Sequence, residues 1–248
     1  MGRRAAASSG DAVHETGIRP VRAALFDLDG TLVDSEPQTD EAIRAVVARH
    51  GIPDFALPHA ETRGRTWAHV ADVIRARTKI GREAPAIAAE LLAYWTDATA
   101  DVTPVPGAPD AVRAAARRMK VGVVSSSPRA VIDAFLDKLG VSDCVDRGAR
   151  IGGGDVGNGK PDPEGFLLAA RAFDIDTGEA VVFEDSRAGL LAARAAGMRS
   201  MFVTCCASDI PANIPLATAS CTHYRTLPPG FWDGLADGSL DLAGKSYS

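Results

Sequence analysis

Apolar residues follow two rhythms along this chain. Short unbroken runs, Ala23-Ala24-Leu25-Phe26, Val121-Gly122-Val123-Val124, Ala180-Val181-Val182-Phe183 and the stretch from Arg199 to Thr204, have the form of strands buried on both faces of a parallel sheet. Between them apolar positions recur at helical spacing: Val112, Ala115, Ala116 and Met119; Val131, Ile132, Phe135 and Leu136; Phe166, Leu167 and Ala170; Leu190, Leu191 and Ala195. Gly140 and Gly197 stand where such helices end, and Pro109 and Pro128 where they begin. Alternating strand and helix predicts an α/β protein with a doubly wound, Rossmann-like parallel sheet as its core.

One region breaks the alternation. From Glu36 to Val102 only helical patterns occur, on Ile43, Val46 and Val47, on Trp67, Val70, Ala71 and Ile74, and on Ile87, Ala88, Leu91, Leu92 and Trp95, with Gly51 ending the first helix. An all-helical block placed straight after the first strand reads as a small inserted cap domain, residues 36–102, with the core built from 21–35 and 103–248. The segment Thr103-Pro104-Val105-Pro106-Gly107 supplies a stiff return linker. Residues 1–20, rich in Ala, Ser, Gly and charge, are expected to be a disordered leader; no apolar segment follows Arg3 and Arg4, so they do not form a secretory signal.

Composition narrows the function classes. With 248 residues, 46% hydrophobic and 24% charged, there is ample material for a core. A formal net charge of -5 offers nucleic acid or an anionic membrane no global attraction, and no apolar run could span a bilayer. Cys144, Cys205, Cys206 and Cys221 form no CxxC pair, adjacent Cys205 and Cys206 are poorly placed to pair with each other, and all are expected to be free thiols of a reducing compartment, the cytoplasm. A monomer or weak dimer is expected.

The chemistry gathers at strand ends. The first run ends in Asp27-Leu28-Asp29-Gly30-Thr31, whose two-residue spacing puts both carboxylates on one side; carboxylates that close call for a cation or a shared proton. The second ends in Ser125-Ser126-Ser127-Pro128, where Ser127 could cap the next helix and the hydroxyls and amides could hold phosphate. A glycine-rich stretch, Gly152 to Gly159, contains the letters of a dinucleotide fingerprint and most of a phosphate loop. It lacks the flanking strand and helix of the first, and Pro161 follows Lys160 where the second needs a hydroxyl. What remains is one lysine, Lys160, fixed between glycines and the Pro161-Asp162-Pro163 turn. The third run ends in Glu184-Asp185, with Ser186 placed to cap a helix. One acid at a helix start is ordinary dipole complementation, but two are less easily explained so.

Taken in order, Asp27-Leu28-Asp29-Gly30-Thr31, Ser125, Lys160-Pro161-Asp162-Pro163 and Glu184-Asp185 resemble the four motifs of the haloacid dehalogenase (HAD) superfamily, in its small-helical-cap branch of β-phosphoglucomutase-like and phosphoglycolate phosphatase-like enzymes. The resemblance implies a Mg²⁺-dependent phosphatase acting on a small phosphorylated metabolite, a sugar phosphate or short organic phosphate. It makes Asp27 the nucleophile that forms an aspartyl phosphate and Asp29 the acid and then the base. Ser125, Ser126 and Lys160 would bind phosphate, and Mg²⁺ would sit on Asp27, the Asp29 carbonyl, Asp185 and Glu184. It also makes the cap stretch Arg63-Gly64-Arg65-Thr66-Trp67 a substrate-facing loop, set against the plain reading of a turn with solvated arginines; His69 would join it in choosing the metabolite. Trp67 occupies the place where hexose-phosphate mutases of this branch carry an arginine, which weakens the mutase alternative. A dehalogenase needs neither Asp29 nor the acidic pair, a receiver-like domain orders its acids differently, and a silent phosphate-ligand binding protein would have no use for the full reactive set.

Overall fold

The computed structural model describes residues 18–248, so the leader expected over 1–20 lies, except for its last three residues, outside the described residues. The strands are β1 (Ala23–Phe26), β2 (Val33–Asp34), β3 (Thr103–Pro104), β4 (Lys120–Val124), β5 (Arg150–Ile151), β6 (Ala180–Glu184), β7 (Arg199–Val203), β8 (Ala219–Cys221) and β9 (Ser246–Tyr247). Seven of them form one parallel sheet in the order β5-β4-β1-β6-β7-β8-β9. The order reverses around β1, and a doubly wound sheet opens its crevice at the carboxyl ends of strands at such a switch point.

The continuous apolar runs fit this sheet because both faces are covered. Ala24 and Phe26 of β1, Val121 and Val123 of β4, and Val181 and Phe183 of β6 face one core cluster. Ala23 and Leu25, Val124, and Ala180 and Val182 face a second. Phe26 and Phe183 stack at 4.8 Å between ring centroids across neighbouring strands. Helices α1 (Glu36–Arg49), α2 (His59–Thr62), α3 (Trp67–Arg77) and α4 (Ala84–Ala98) all fall between β2 and β3, and Ile43, Val46, Val70, Ile74, Ile87 and Leu91 give them an apolar core of their own. Trp95 of α4 joins that block to the sheet, meeting Trp67 at 6.1 Å and the core residue Phe135 edge-on at 5.8 Å.

Helices α5 (Ala108–Ala116), α6 (Arg129–Lys138), α7 (Glu164–Phe173), α8 (Arg187–Ala195), α9 (Ile210–Asn213) and α10 (Phe231–Asp237) complete the order. Two local readings need correction, and the tail adds strands. The stretch at Thr103 is more than a linker: β3 pairs antiparallel with β2, Val33 against Pro104 and Asp34 against Thr103, so both crossings to the helical block are tied into one ribbon. The C-terminal tail, included in the core over 103–248, contributes β8 and β9 to the sheet. Ser127 does not cap α6; Pro128 occupies that position and no side chain caps the helix.

Candidate active site

The site begins where β1 ends. The amides of Thr31, Leu32 and Val33 all turn back onto the Leu28 carbonyl, and Gly30 N–H donates to the Val33 carbonyl at 2.7 Å. This tight reversal sets Asp27 and Asp29 at the crevice while Leu28, fully buried, points into the core. Gly30 is left-handed, at φ +79°, and a Cβ there would collide with the Asp185 carboxylate, standing 2.6 Å from its Cγ. The turn thus needs glycine for its backbone and for the space.

Asp27, Glu184 and Asp185, from the ends of neighbouring strands β1 and β6, place oxygens within 4.8 Å of one another. Lys160 Nζ lies between two of them, 2.5 Å from Asp27 Oδ1 and 2.6 Å from Glu184 Oε1. The Ser186 amide and hydroxyl donate to Glu184 Oε2 at 2.7 and 2.9 Å, so both Glu184 oxygens are already held. Any side chain at Gly189 would strike Glu184, whose Cγ would be 2.6 Å away, and Ser186 Oγ also caps α8 by accepting from Gly189 N–H at 3.1 Å. Asp185 differs: Thr31 Oγ1 donates to its Oδ1 at 3.1 Å, while Oδ2 is buried with no hydrogen-bond partner.

Three buried carboxylates around one ammonium leave negative charge uncompensated. Burial pushes the Asp185 carboxyl well above the usual range, and nearby Glu184 and Asp27 push it further. Burial does the same to Asp27, opposed by Lys160. The lysine itself is held charged, because the two carboxylates outweigh its own desolvation. An all-oxygen set with one buried free carboxylate oxygen and excess negative charge fits a hard divalent cation.

Asp29 is held by three hydroxyls. Ser35 Oγ donates to Oδ1 at 2.8 Å, and Ser127 and Ser125 donate to Oδ2 at 2.8 and 3.3 Å. Burial raises its carboxyl above the usual value, and the hydroxyls only partly offset this. The Ser127 hydroxyl, expected at a helix cap, is therefore spent on an acid. Ser125, expected to bind phosphate, also accepts from Ser127 N–H at 3.0 Å.

The helical block closes over these groups. Ser126 Oγ donates to the Gly64 carbonyl at 2.9 Å, and Arg65 Nη1 to the Lys160 carbonyl at 3.0 Å. Arg63 Nε stands 3.1 Å from Glu36 Oε2, and its Nη1 donates to the Cys206 carbonyl at 2.5 Å. Gly64, at φ +67°, lets the loop come down onto Ser186, which a Cβ would meet at 3.0 Å from its own Cβ. Burial pushes the Glu36 carboxyl up to about 8 despite Arg63 beside it. Between the two layers lies a cavity of about 40 Å³ lined by Asp27, Asp29, Arg63, Gly64, Arg65, Trp67 and Ser126 among others. The expected loop therefore faces the acids, whereas His69 is exposed and off the cavity wall.

The model of the haloacid dehalogenase-like hydrolase family matches residues 21–197. The chain belongs to this family. Validoxylamine A 7'-phosphate phosphatase of Streptomyces hygroscopicus subsp. limoneus is 38% identical over 181 residues, covering 71% of this chain and 83% of that one. Fructose-1-phosphate phosphatase of Escherichia coli (strain K12) is 33% identical over 181 residues, covering 72% and 94%. In fold, the crystal structure of β-phosphoglucomutase from Clostridium difficile superposes with a TM-score of 0.73 at 23% identity, covering 88% of this chain and 98% of that one. The HAD-like assignment agrees with a parallel sheet carrying its acids at strand ends, and the protein is an enzyme, a hydrolase. Among the described residues no helix is long and apolar enough to cross a membrane.

Several residues of this HAD-like site escaped sequence reasoning. Ser127 was open to it: the period of two that pairs Asp27 with Asp29 also pairs Ser125 with Ser127. Thr31 and Glu36 carry no such signal, because their partners Asp185 and Arg63 lie far along the chain, and Ser35 and Gly189 meet Asp29 and Glu184 only through the local turns that the fold sets.

Proposed function

We propose that the enzyme hydrolyses phosphate monoesters of small metabolites, sugar phosphates foremost, through a phosphoryl group carried briefly on Asp27, with Mg²⁺ as its ion. The enzyme is a phosphatase of the HAD-like family, and the observation that carries the finer reading is the charge imbalance at the strand ends: one lysine cannot neutralise Asp27, Glu184 and Asp185, so an anionic ester could not approach Asp27 unaided. Asp27, Asp185 and the Asp29 carbonyl would hold Mg²⁺, with Glu184 beside them. When bound, the ion supplies positive charge to the phosphoryl oxygens and keeps Asp27 ionised.

The chain's own groups account for the rest. An oxygen of Asp27 attacks phosphorus as the ester oxygen leaves. Asp29, whose carboxyl is raised above its usual value by burial and is aimed by Ser35 and Ser127, delivers a proton to the departing alkoxide. It then takes a proton from the water that attacks the aspartyl phosphate, freeing phosphate and restoring Asp27. Lys160 and the hydroxyl and amide groups at Ser125 and Ser126 grip the phosphoryl oxygens. Arg63, Gly64, Arg65 and Trp67 face the rest of the substrate, and the four free thiols suit a reducing compartment, the cytoplasm.

The test is phosphate release from a panel of sugar, polyol and short organic phosphates, with Mg²⁺ and with EDTA, for wild type and Asp27→Asn. Metal-dependent release that disappears in the variant is expected. Release that persists in Asp27→Asn overturns the nucleophile, and release unchanged by EDTA overturns the ion.

A further inference from the structure

Cys205 and Cys206 follow β7 at the same sheet edge as the acids, on a turn pinned by Cys205 N–H donating to the Thr222 carbonyl at 2.9 Å. Their sulfurs face each other at 3.6 Å, although neighbouring side chains in an extended chain would point apart. Cys205 is exposed and Cys206 half-buried against the core. The Cys206 carbonyl accepts from Arg63 of the helical block. A close dithiol and a cap-to-core latch therefore share one residue.

We propose that Cys205 and Cys206 are an oxidation site for peroxides, and that closing them into a disulfide releases Arg63 from the core. The Cys205 thiolate attacks a peroxide oxygen, breaking the O–O bond to give a sulfenic acid and a water or alcohol. Cys206 sulfur then attacks the Cys205 sulfur, loses its proton and expels a second water as the S–S bond forms. Two thiols are oxidised by two electrons and one peroxide is reduced. The roles follow from the surroundings: Cys205 is exposed and meets the peroxide first, while Cys206, half-buried against the core at 3.6 Å, is placed to resolve it. Bonding brings the sulfurs from 3.6 Å to about 2.05 Å, which between adjacent residues requires turning the backbone at Cys206, and with it the acceptor of Arg63.

The experiment treats reduced, full-length protein with hydrogen peroxide and follows three readouts: the mass of the tryptic peptide Ser200–Arg225, hydrogen exchange across residues 59–67, and kcat/KM on p-nitrophenyl phosphate with Mg²⁺. Loss of two hydrogens is expected in wild type and in Cys221→Ser, with faster exchange over 59–67 and kcat/KM lower by about tenfold to a hundredfold, the range of one lost charge-assisted hydrogen bond. Dithiothreitol reverses all three. Cys205→Ser keeps the basal activity and shows none of these changes. Absence of the two-hydrogen loss overturns the site, as does its disappearance in Cys221→Ser, which would assign the bond to another pair. Oxidation without faster exchange overturns the link to Arg63. Mass and exchange read the proposal even if no ester is turned over, so its failure is separable from failure of the phosphatase reading.

Discussion

Replacing Asp185 by Asn should make the metal-free protein more stable and abolish its response to Mg²⁺. Asp185 Oδ2 is buried without a partner, next to Glu184 and Asp27, while Oδ1 keeps the Thr31 hydroxyl. Asn retains the Oδ1 contact and puts an N–H₂ where the orphaned oxygen was, facing carboxylates that can accept. Leaving a buried polar group unsatisfied costs about 1–3 kcal/mol. For a chain of this length 1 kcal/mol moves Tm by about 2–4 °C, so in EDTA the variant should melt about 2–12 °C higher. Because burial raises the Asp185 carboxyl, the folded state holds its proton more tightly than the unfolded chain. Stability is then intact below the ordinary value of 3.8 and is lost as pH rises above it, so the gap between variant and wild type should open with pH. Mg²⁺ at a hundred times its Kd should add about 2.7 kcal/mol to wild type and nothing to the variant, closing the gap or reversing it. Thermal melts at several pH values, with EDTA and with Mg²⁺, decide the matter. A variant that melts at or below wild type in EDTA, or gains equally from Mg²⁺, refutes the reasoning.

Three further outcomes are expected. Asp27→Asn should lower kcat by more than about three orders of magnitude while the protein folds normally by circular dichroism, the pattern of a lost nucleophile. Gly30→Ala should cost about 1–2 kcal/mol for the left-handed backbone and about 1–3 kcal/mol for the clash with Asp185, readable by urea unfolding, and should weaken Mg²⁺ stabilisation as well. Glu36 is raised from 4.5 to about 8, so its contribution is complete below 4.5 and is lost as pH climbs through about 8; Glu36→Gln should flatten the fall in stability over that interval, by at most about 4–5 kcal/mol. An unchanged pH slope would show that Arg63 keeps Glu36 ionised throughout.

The elements that the sequence made legible are those whose cause is local. Buried parallel strands announce themselves as runs such as Ala180–Phe183 because both faces are covered, and the acids appear at their ends because the chain must leave the sheet there. Gly140 and Gly197 end helices through their own left-handed backbone. The β2–β3 ribbon was hidden because its two strands, of two residues each, lie far apart in the chain and one contains Pro104. Strands β8 and β9 were hidden for a related reason: three and two residues are too few to show a period. At the site, the four motif positions stood out as residue types, but Thr31, Ser35 and Ser127 did not. A hydroxyl supporting a carboxylate from another element looks like any surface serine until the fold brings the two together.

The geometry also bears on how a substrate enters. A cavity of about 40 Å³ holds a few water molecules but no sugar phosphate, whose sites occupy hundreds of Å³. Beside the Trp95 packing, three hydrogen bonds close it: Ser126 to the Gly64 carbonyl, Arg65 to the Lys160 carbonyl, and Arg63 to the Cys206 carbonyl. Each joins a side chain to a backbone carbonyl across the two layers, so each can break without disturbing the apolar core of either. The β2–β3 ribbon gives the helical block a two-stranded attachment to the core, and it starts four residues after Asp29. Ser35, which holds Asp29, immediately follows Asp34 of that ribbon. On the proposed role of Asp29, an opening of the helical block would therefore act on the same short segment, Asp29 to Glu36, that positions the acid, and would link access to proton delivery through the covalent chain itself.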